Sequence, residues 1–343
     1  MRRSARERNI SMKNYIYGGH AGHYKANLHA HSVISDGALT PVQLKELYKR
    51  NGYSVLCITD HELMRQHHEL DDESFLALTG YEMSVNSPGI ASRYKTMHMN
   101  VYSPVQDNEM QVMFNPDDVA WLIRRGNTDV SAKYYGEIAR KEYSAECFNR
   151  IISEAGSHGY IVSLNHPVWS LLEEEDYRDI EGIFAVEIYN HGCVVEGMDD
   201  DTASVFDYLN RHGKKVFCTA VDDNHNAFPE GHPRFDSLGG FDVINAPSLE
   251  YGAIFSALKN GNFYASTGAM IDEIYEENGN IYVKCPPCER ITLINGGRRT
   301  DLAVRTGDAP LTEAVFPVRE NDLYVRVEVT GAAGKAYSQP FYL

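Results

Sequence analysis

The chain has 343 residues, of which 43% are hydrophobic, and a formal net charge of −16 at pH 7. This length suits one large domain and one small one. The negative charge argues against broad affinity for nucleic acid or for anionic membranes, because both would be repelled. The sequence has no apolar run of about 18 residues and no secretory signal, so we expect a cytoplasmic protein without membrane contact.

The first predicted strand covers residues 24 to 28 and ends in His29-Ala30-His31. Because strand side chains alternate between the two faces, both imidazoles point to the same side. Asp36 follows in a Ser-Asp-Gly turn that can return its carboxylate toward these rings. A bare His-x-His is more often a pair of hydrogen-bonded histidines than a metal site. Its interpretation therefore depends on how the later strands end.

Helices and strands alternate after this point. Thr40-Pro41-Val42-Gln43 predicts a helix start with a capping box. Residues 54–59 predict a buried strand that ends in Asp60-His61. Residues 107–142 lack periodicity and are interpreted as an insertion over one face. The remaining predicted strands are 75–78 before Glu82, 96–102 with His98, 160–164 before His166, 183–189, 215–221 before Asp223 and His225, and 241–246.

Six or seven strand-helix units over about 250 residues favour an α/β barrel over an open sheet, because no Gly-rich phosphate turn follows the first strand. The carboxyl ends of barrel strands carry the chemistry in such folds. A cap, a turn or a buried histidine could explain each candidate alone, but nine at one structural position predict a metal centre. The candidate ligands are His29, His31, Asp36, His61, Glu82, His98, His166, Asp223 and His225.

These motifs resemble those of the PHP (polymerase and histidinol phosphatase) metal-dependent phosphoesterases. The resemblance covers about residues 24 to 270 and implies a distorted (β/α)7 TIM-like barrel that holds two or three divalent ions. It implies one ion on His29, His31, Glu82 and Asp223, with Glu82 bridging to a second ion on His98 and His166. A third ion would lie on Asp36, His61 and His225. The motifs, in chain order, are His29-x-His31, Ser35-Asp36-Gly37, Thr59-Asp60-His61, Gly80-x-Glu82, His98, Asn165-His166-Pro167 and Asp223-x-His225.

The predicted domains are an N-terminal extension (1–23), the PHP barrel (24–271) and a small C-terminal β-sandwich (272–343). Short alternating strands and turns predict the sandwich, as in residues 322–329 and the turn at 331–334. It resembles the β-domain appended to some longer PHP proteins. It contains no catalytic constellation, so we expect it mainly to support the fold.

Mixed imidazole and carboxylate ligation suits manganese, zinc or iron. Clustered cations neutralise phosphate oxygens, orient an ester and lower the pKa of a bridging water. We therefore expect hydrolysis of a small phosphorylated metabolite or nucleotide through in-line attack by a metal-bridging hydroxide. Glu82, Asp36 and His225 are the expected catalytic residues. Arg93 and Arg234 could contact a substrate phosphate, or could be solvated charges.

Three other functions compete with this hypothesis. A 5'-3' exonuclease or oligonucleotide phosphodiesterase should have a basic channel, and the acidic composition disfavours one. A non-catalytic metal-binding module should lack some ligands, yet the motif set is complete. Metal-dependent amide hydrolysis also uses His-x-His on a first strand, but the lysine usual in that chemistry has no counterpart at a middle strand end. The sequence does not predict the oligomeric state.

Overall fold

A computed structural model describes residues 13–88, 95–199 and 202–343. The strands are β1 (Asn14–Tyr17), β2 (Gly22–Asn27), β3 (Val55–Ile58), β4 (Leu76–Asn86), β5 (Thr96–Tyr102), β6 (Met110–Gln111), β7 (Lys133–Tyr134), β8 (Ile161–Leu164), β9 (Ala185–Asn190), β10 (Phe217–Val221), β11 (Phe241–Ala246), β12 (Phe263–Ser266), β13 (Glu273–Glu277), β14 (Asn280–Cys288), β15 (Arg290–Ile294), β16 (Thr300–Val304), β17 (Leu311–Pro317), β18 (Tyr324–Gly331), β19 (Gly334–Ser338) and β20 (Phe341–Tyr342). The α-helices are α1 (Pro41–Arg50), α2 (Ala120–Arg125), α3 (Ala145–Ser157), α4 (Glu174–Tyr177), α5 (His191–Val195), α6 (Ala203–Arg211) and α7 (Tyr251–Lys259).

The main sheet has the strand order β10-β9-β8-β5-β4-β3-β2-β11-β12-β19-β18-β15-β16. Strands β2, β3 and β4 are parallel to one another, as are β8, β9 and β10. Strand β5 runs antiparallel to both of its neighbours, β4 and β8. An antiparallel pair needs only a short connection, so β4 and β5 depart from strict strand-helix alternation. The fold is mixed α/β, and the backbone pairing among the described residues does not form a closed sheet.

The two ends of the strand series β2 to β10 nevertheless approach each other. Ala30 and Asn224, which follow β2 and β10, form one parallel bridge. Deeper in the sheet, side chains replace backbone pairing: Asp242 accepts a hydrogen bond from the Ala220 N–H at 3.2 Å. Gln339 binds both the N–H and the carbonyl of Cys218, each at 2.8 Å. This closure brings the segments after β2 and β10 together.

Helices α1 and α3 cover the sheet with amphipathic faces. The predicted capping box of α1 is present, since the Thr40 hydroxyl accepts from the Gln43 N–H and the Gln43 side chain accepts from the Thr40 N–H. The Ser144 side chain caps α3 by accepting from the Cys147 N–H. These caps satisfy amide groups that a helix leaves unpaired at its start. The buried residues are Leu44, Leu47 and Tyr48 in α1, and Cys147, Phe148, Ile151, Ile152 and Ala155 in α3.

The C-terminal region is rich in short strands, in agreement with the sequence. Strands β1, β13, β14 and β17 form a second sheet. Apolar side chains such as Ile281, Val283 and Val327 belong to one core cluster between this sheet and the end of the main sheet. Part of the predicted N-terminal extension therefore contributes strand β1 to the C-terminal sheet. Among the described residues, no helix combines the length and apolar character needed to cross a membrane.

Candidate metal centre

The structure places all nine predicted ligand side chains around one region at the carboxyl end of the parallel strands. Glu82 and His98 lie within β4 and β5, and the others lie in the segments that follow β2, β3, β8 and β10. Glu82 is fully buried, whereas the His225 side chain is 35% exposed. The site therefore extends from a buried floor to an open rim.

One group of possible ligands comprises His29, His31 and Asp223. The Nε2 atoms of His29 and His31 lie 3.1 and 3.0 Å from Asp223 Oδ1. Each of these nitrogens also lies 3.4 Å from a Glu82 oxygen. These four residues are the set that the family resemblance implies for one ion.

Glu82 joins this group to a second one. Its Oε1 lies 2.9 Å from His98 Nδ1 and 3.2 Å from His166 Nε2. Its Oε2 lies 2.9 Å from His61 Nδ1. His61 is therefore close enough to share the second group, although the resemblance implies it for the third ion only.

The third group comprises Asp36, His61, His225 and also His31. The Asp36 carboxylate lies 3.6 Å from His61 Nε2, 3.5 Å from His225 Nε2 and 3.7 Å from His31 Nδ1. These spacings leave room for a cation between the donor atoms. His31 and His61 each offer one ring nitrogen to this group and the other to a neighbouring group.

The electrostatics of the site agree with cation binding. Burial opposes the charge on Glu82, but His98, His29 and His61 hold the pKa of this carboxyl well below its usual range. Glu82 Oε2 is buried and accepts no hydrogen bond from the described residues. Burial is also outweighed at His61 and His225, where carboxylates raise each pKa to about 9. Carboxylate oxygens and imidazole nitrogens that converge in this way are a donor set that fits divalent ions such as zinc or manganese, which would displace the imidazole protons on binding.

Two of the candidate ligands adopt backbone conformations that are unusual for residues other than glycine. His166 has φ 24° and Asp223 has φ 52°. Such conformations cost about 1–3 kcal/mol and persist where surrounding contacts enforce them. Here the Asp223 N–H donates to the His29 carbonyl at 3.0 Å, and the His166 N–H donates to Glu187 Oε2 at 2.8 Å.

Sequence reasoning missed the residues that hold the ligands in place. Asp60 accepts hydrogen bonds from the backbone and hydroxyl groups of Ser32 and Ser35, and so fixes the turn between His31 and Asp36. Glu187 lies in the predicted strand 183–189 but carried no assignment. The sequence did contain a signal for Glu187, because it is the only carboxylate in an otherwise apolar predicted strand. A carboxylate buried in such a strand requires hydrogen-bonding partners.

A cavity of about 320 Å³ is lined by seven of the nine side chains, all except His29 and His31. Trp169, which is 37% exposed, lines this cavity with its ring centroid 4.9 Å from that of His166. Phe228 and Glu196 also line it. The volume suits a small ligand.

Of the two arginines proposed for phosphate binding, one lies at this cavity. The Arg234 guanidinium lies 4.6 Å from the Phe228 ring centroid and 3.5 Å from Glu196 Oε1. Its side chain is 51% exposed. Arg93 lies outside the described residues.

No family model and no curated protein matches this chain. Similar solved structures include a two-domain protein from Bacteroides vulgatus that contains a predicted PHP-like metal-dependent phosphoesterase; it is 14% identical, with a TM-score of 0.42, and the match covers 93% of this chain and 95% of that one. A putative metal-dependent phosphoesterase from Bifidobacterium adolescentis is 18% identical, with a TM-score of 0.38 and coverage of 62% and 90%. An amidohydrolase from Chromobacterium violaceum with bound sulfate and no metal is also 18% identical, with a TM-score of 0.36 and coverage of 58% and 87%. The chain is thus similar to proteins named as metal-dependent phosphoesterases and to one named as an amidohydrolase.

Proposed function

We propose that this protein is a metal-dependent phosphoric ester hydrolase that acts on a small phosphorylated metabolite or nucleotide. The observation that carries the proposal is the position of Glu82. This buried carboxylate lies within 3.4 Å of ring nitrogens from His29, His31, His61, His98 and His166. A carboxylate in that position can bridge two cations and fix their separation.

Two or three divalent ions, manganese, zinc or iron, would neutralise phosphate oxygens, orient the ester and lower the pKa of a water that bridges them. His29, His31, Glu82 and Asp223 would hold one ion, and His98 and His166 would hold the next together with Glu82. Asp36, His61 and His225 would complete a third position, where the distances also allow His31 to contribute.

The chain's own groups would position the substrate. Glu82 lies at the floor of the cavity, and Asp36 and His225 line it. We therefore place these three residues in the catalytic set. Arg234 would contact a phosphate oxygen at the rim, where the bound phosphate would replace Glu196 as the partner of the guanidinium. Arg93 remains a second proposed phosphate contact.

We also propose that strands β2, β3, β4, β5, β8, β9 and β10 form a distorted seven-stranded barrel. The bridge between Ala30 and Asn224 supports this arrangement, because it joins the two ends of the series at the site. Closure at this end would explain how side chains from the first and last strands reach the same cations.

The test is an activity screen on apoprotein reloaded with manganese, zinc or iron singly. The substrates are phosphorylated metabolites, nucleotides and short oligonucleotides. We expect turnover of one or more small phosphate esters with at least one of the metals. Turnover confined to oligonucleotides would favour a phosphodiesterase instead, and metal binding without turnover of any substrate would favour a non-catalytic module.

Glu82→Gln tests the bridging role directly. We expect this variant to bind at least one ion fewer than the wild type and to lose nearly all activity, because the amide has no charge to share between two cations. Metal content is measured by elemental analysis and folding by circular dichroism. Glu69→Gln is the control, since the Glu69 side chain is 56% exposed and forms its ion pair with His67, which is not a candidate ligand. Full metal content in Glu82→Gln would contradict the bridge.

A further inference from the structure

Glu187 is a buried carboxylate that the proposed ligand set does not include. It lies in β9 and is 1% exposed. Its Oε1 lies 2.6 Å from His29 Nδ1, and its Oε2 accepts hydrogen bonds from the His166 N–H at 2.8 Å and from Asn190 Nδ2 at 3.0 Å. One carboxylate therefore contacts two candidate ligands, His29 through its ring and His166 through its backbone.

Asn190 extends this contact to a third ligand. Its Nδ2 also donates to Asp223 Oδ2 at 3.1 Å, while its Oδ1 accepts from the Cys193 N–H at 3.0 Å and caps α5. The cap fixes which end of the amide is oxygen, so the NH₂ group faces both carboxylates. Asn190 thus joins Glu187 to Asp223.

We propose that Glu187 and Asn190 are positioning residues that orient His29, His166 and Asp223 for metal binding. The inference rests on the proposed metal-dependent function. A carboxylate that accepts from His29 Nδ1–H fixes the imidazole tautomer and leaves the Nε2 lone pair directed at Asp223 and Glu82. The same carboxylate holds the His166 N–H in place, which stabilises the left-handed backbone of that residue.

The place of β9 in the sheet supports this role. Strand β9 lies between β8, which precedes His166, and β10, which precedes Asp223. None of the nine predicted ligands follows β9. Strand β9 carries Glu187 near its middle and Asn190 as its last residue instead. Strand β9 therefore supplies residues that hold the neighbouring ligands, whereas the other strands of the series supply the ligands themselves.

The test compares metal binding by Glu187→Gln and by the wild type, both starting from apoprotein. The amide cannot accept from His29, His166 and Asn190 together, because one of its two ends is a donor. We expect a 10- to 100-fold weaker affinity for Mn²⁺ or Zn²⁺ at one or more positions, measured by titration calorimetry. We also expect an altered visible absorption spectrum after Co²⁺ substitution, since the His29 ring would lose its fixed orientation.

Asp322→Asn is the matched control. Asp322 is a buried carboxyl group before β18 that accepts hydrogen bonds from the Asn295 side chain and the Arg319 N–H rather than from any of the nine candidate ligands. We expect the metal affinity and the Co²⁺ spectrum of this control variant to equal those of the wild type. A purely general effect of replacing a buried carboxylate would change both variants alike and would overturn the inference.

Asn190→Ala provides a second route if Glu187→Gln fails to fold. It removes the donor to Glu187 and to Asp223 but leaves the His29 contact, so we expect a smaller loss of affinity in the same direction. Wild-type affinity and an unchanged spectrum in the variants that fold would overturn the positioning role. Wild-type protein that binds metal but hydrolyses no phosphate ester would contradict the proposed function, while the affinity comparison would still decide this inference.

Discussion

Asp242 is buried in the sheet with its charge poorly compensated. Its Oδ1 accepts from the Ala220 N–H, while its Oδ2 has no hydrogen-bond partner among the described residues. Burial raises the pKa of this carboxyl well above its usual value, and Glu187 raises it further. Tyr53 and Cys218 also face Asp242 closely enough for its charge to raise their pKa values.

The raised pKa makes a pH-dependent contribution to stability. The folded protein holds the Asp242 proton more tightly than the unfolded chain does. This contribution is fully present below about pH 4, which is the pKa of an aspartate in the unfolded chain. It is lost by about 1.4 kcal/mol per pH unit as the pH rises from there toward the pKa of Asp242 in the folded protein.

Asp242→Asn should remove this dependence, because an amide resembles the protonated carboxyl at every pH. We expect the variant to equal the wild type near pH 4 and to be more stable by at least about 1 kcal/mol at pH 8. The measurement is urea unfolding at both pH values. Equal stabilities at pH 8 would show that the carboxylate is better solvated than its burial indicates.

The convergence of the nine candidate side chains could be predicted at the residue scale because seven of them follow a recognisable strand, whereas Glu82 and His98 lie within strands β4 and β5, and β4 extends past the predicted end at residue 78 to Asn86. His29 and Asp223 are 194 residues apart, yet both positions were recognisable from local pattern alone. The supporting contacts could not be predicted, since Glu187 and His29 are 158 residues apart and no local pattern encodes their meeting. The sharing of His31 and His61 between groups depends equally on three-dimensional distances.

Among the elements, the insertion at 107–142 is attached to the site by a buried ion pair. Lys141 Nζ, at the end of this segment, lies 2.6 Å from Glu62 Oε2 and 3.0 Å from Asp118 Oδ2. The Lys141 and Glu62 side chains are 4% and 3% exposed. Glu62 directly follows His61, and its other oxygen accepts from the Ser84 N–H and hydroxyl at 2.8 Å each. The insertion thereby fixes the segment that carries His61.

Lys141→Met tests this attachment. The change leaves Glu62 buried without its cation, and we expect the free energy of unfolding to fall by about 3–5 kcal/mol. Lys133→Met is the control, because Lys133 is 70% exposed in its pair with Glu109 and such surface pairs contribute about 0–1 kcal/mol. Both values come from denaturant unfolding. A loss in Lys141→Met no larger than in the control would mean that the ion pair does not anchor the insertion.

The sequence predicted this segment as an insertion over one face but not its attachment. Its polar, aperiodic composition hides α2, whose burial in the described structure rests on a small apolar cluster that includes Leu122 and Val119. The antiparallel direction of β5 was equally inaccessible, because the residue pattern of a strand buried on both faces does not specify its direction. Predicted strand positions were therefore more reliable than strand pairing.

At the scale of the whole molecule, the C-terminal strands are continuous with the sheet that carries the site. Strand β19 pairs with β12 from Tyr264–Ser338 to Ser266–Ala336. Gln339 then reaches β10 through Cys218. The alternating pattern of residues 322–329 predicts strands and a small sandwich, but it cannot specify which distant strand completes the ladder.

Arg326 makes a second connection between these two parts. Its side chain is 2% exposed, and its Nε and Nη2 each donate to an Asp207 oxygen at 2.8 Å. Tyr324 donates to the same carboxylate at 2.7 Å. Asp207 lies on α6, which packs against β9 through Phe206 and Leu209, both fully buried. The bidentate pair thus joins β18 to a helix beside the strand that carries Glu187.

Arg326→Met should therefore weaken the whole structure rather than the C-terminal strands alone. We expect the free energy of unfolding to fall by about 3 kcal/mol, because Asp207 is left without its main partner. Both tryptophans of the chain, Trp121 and Trp169, lie beside candidate ligands, so their fluorescence reports on the site. Far-UV circular dichroism reports on all strands.

A continuous sheet requires the transitions seen by fluorescence and by circular dichroism to shift to lower denaturant together. Arg290→Met is the control, because the Arg290 side chain is 44% exposed and its loss should change the free energy of unfolding seen by either signal by less than about 1 kcal/mol. An early dichroism change with unshifted fluorescence would mean that the C-terminal strands unfold as an independent unit, and that the backbone pairing of β12 with β19 does not couple them to the site.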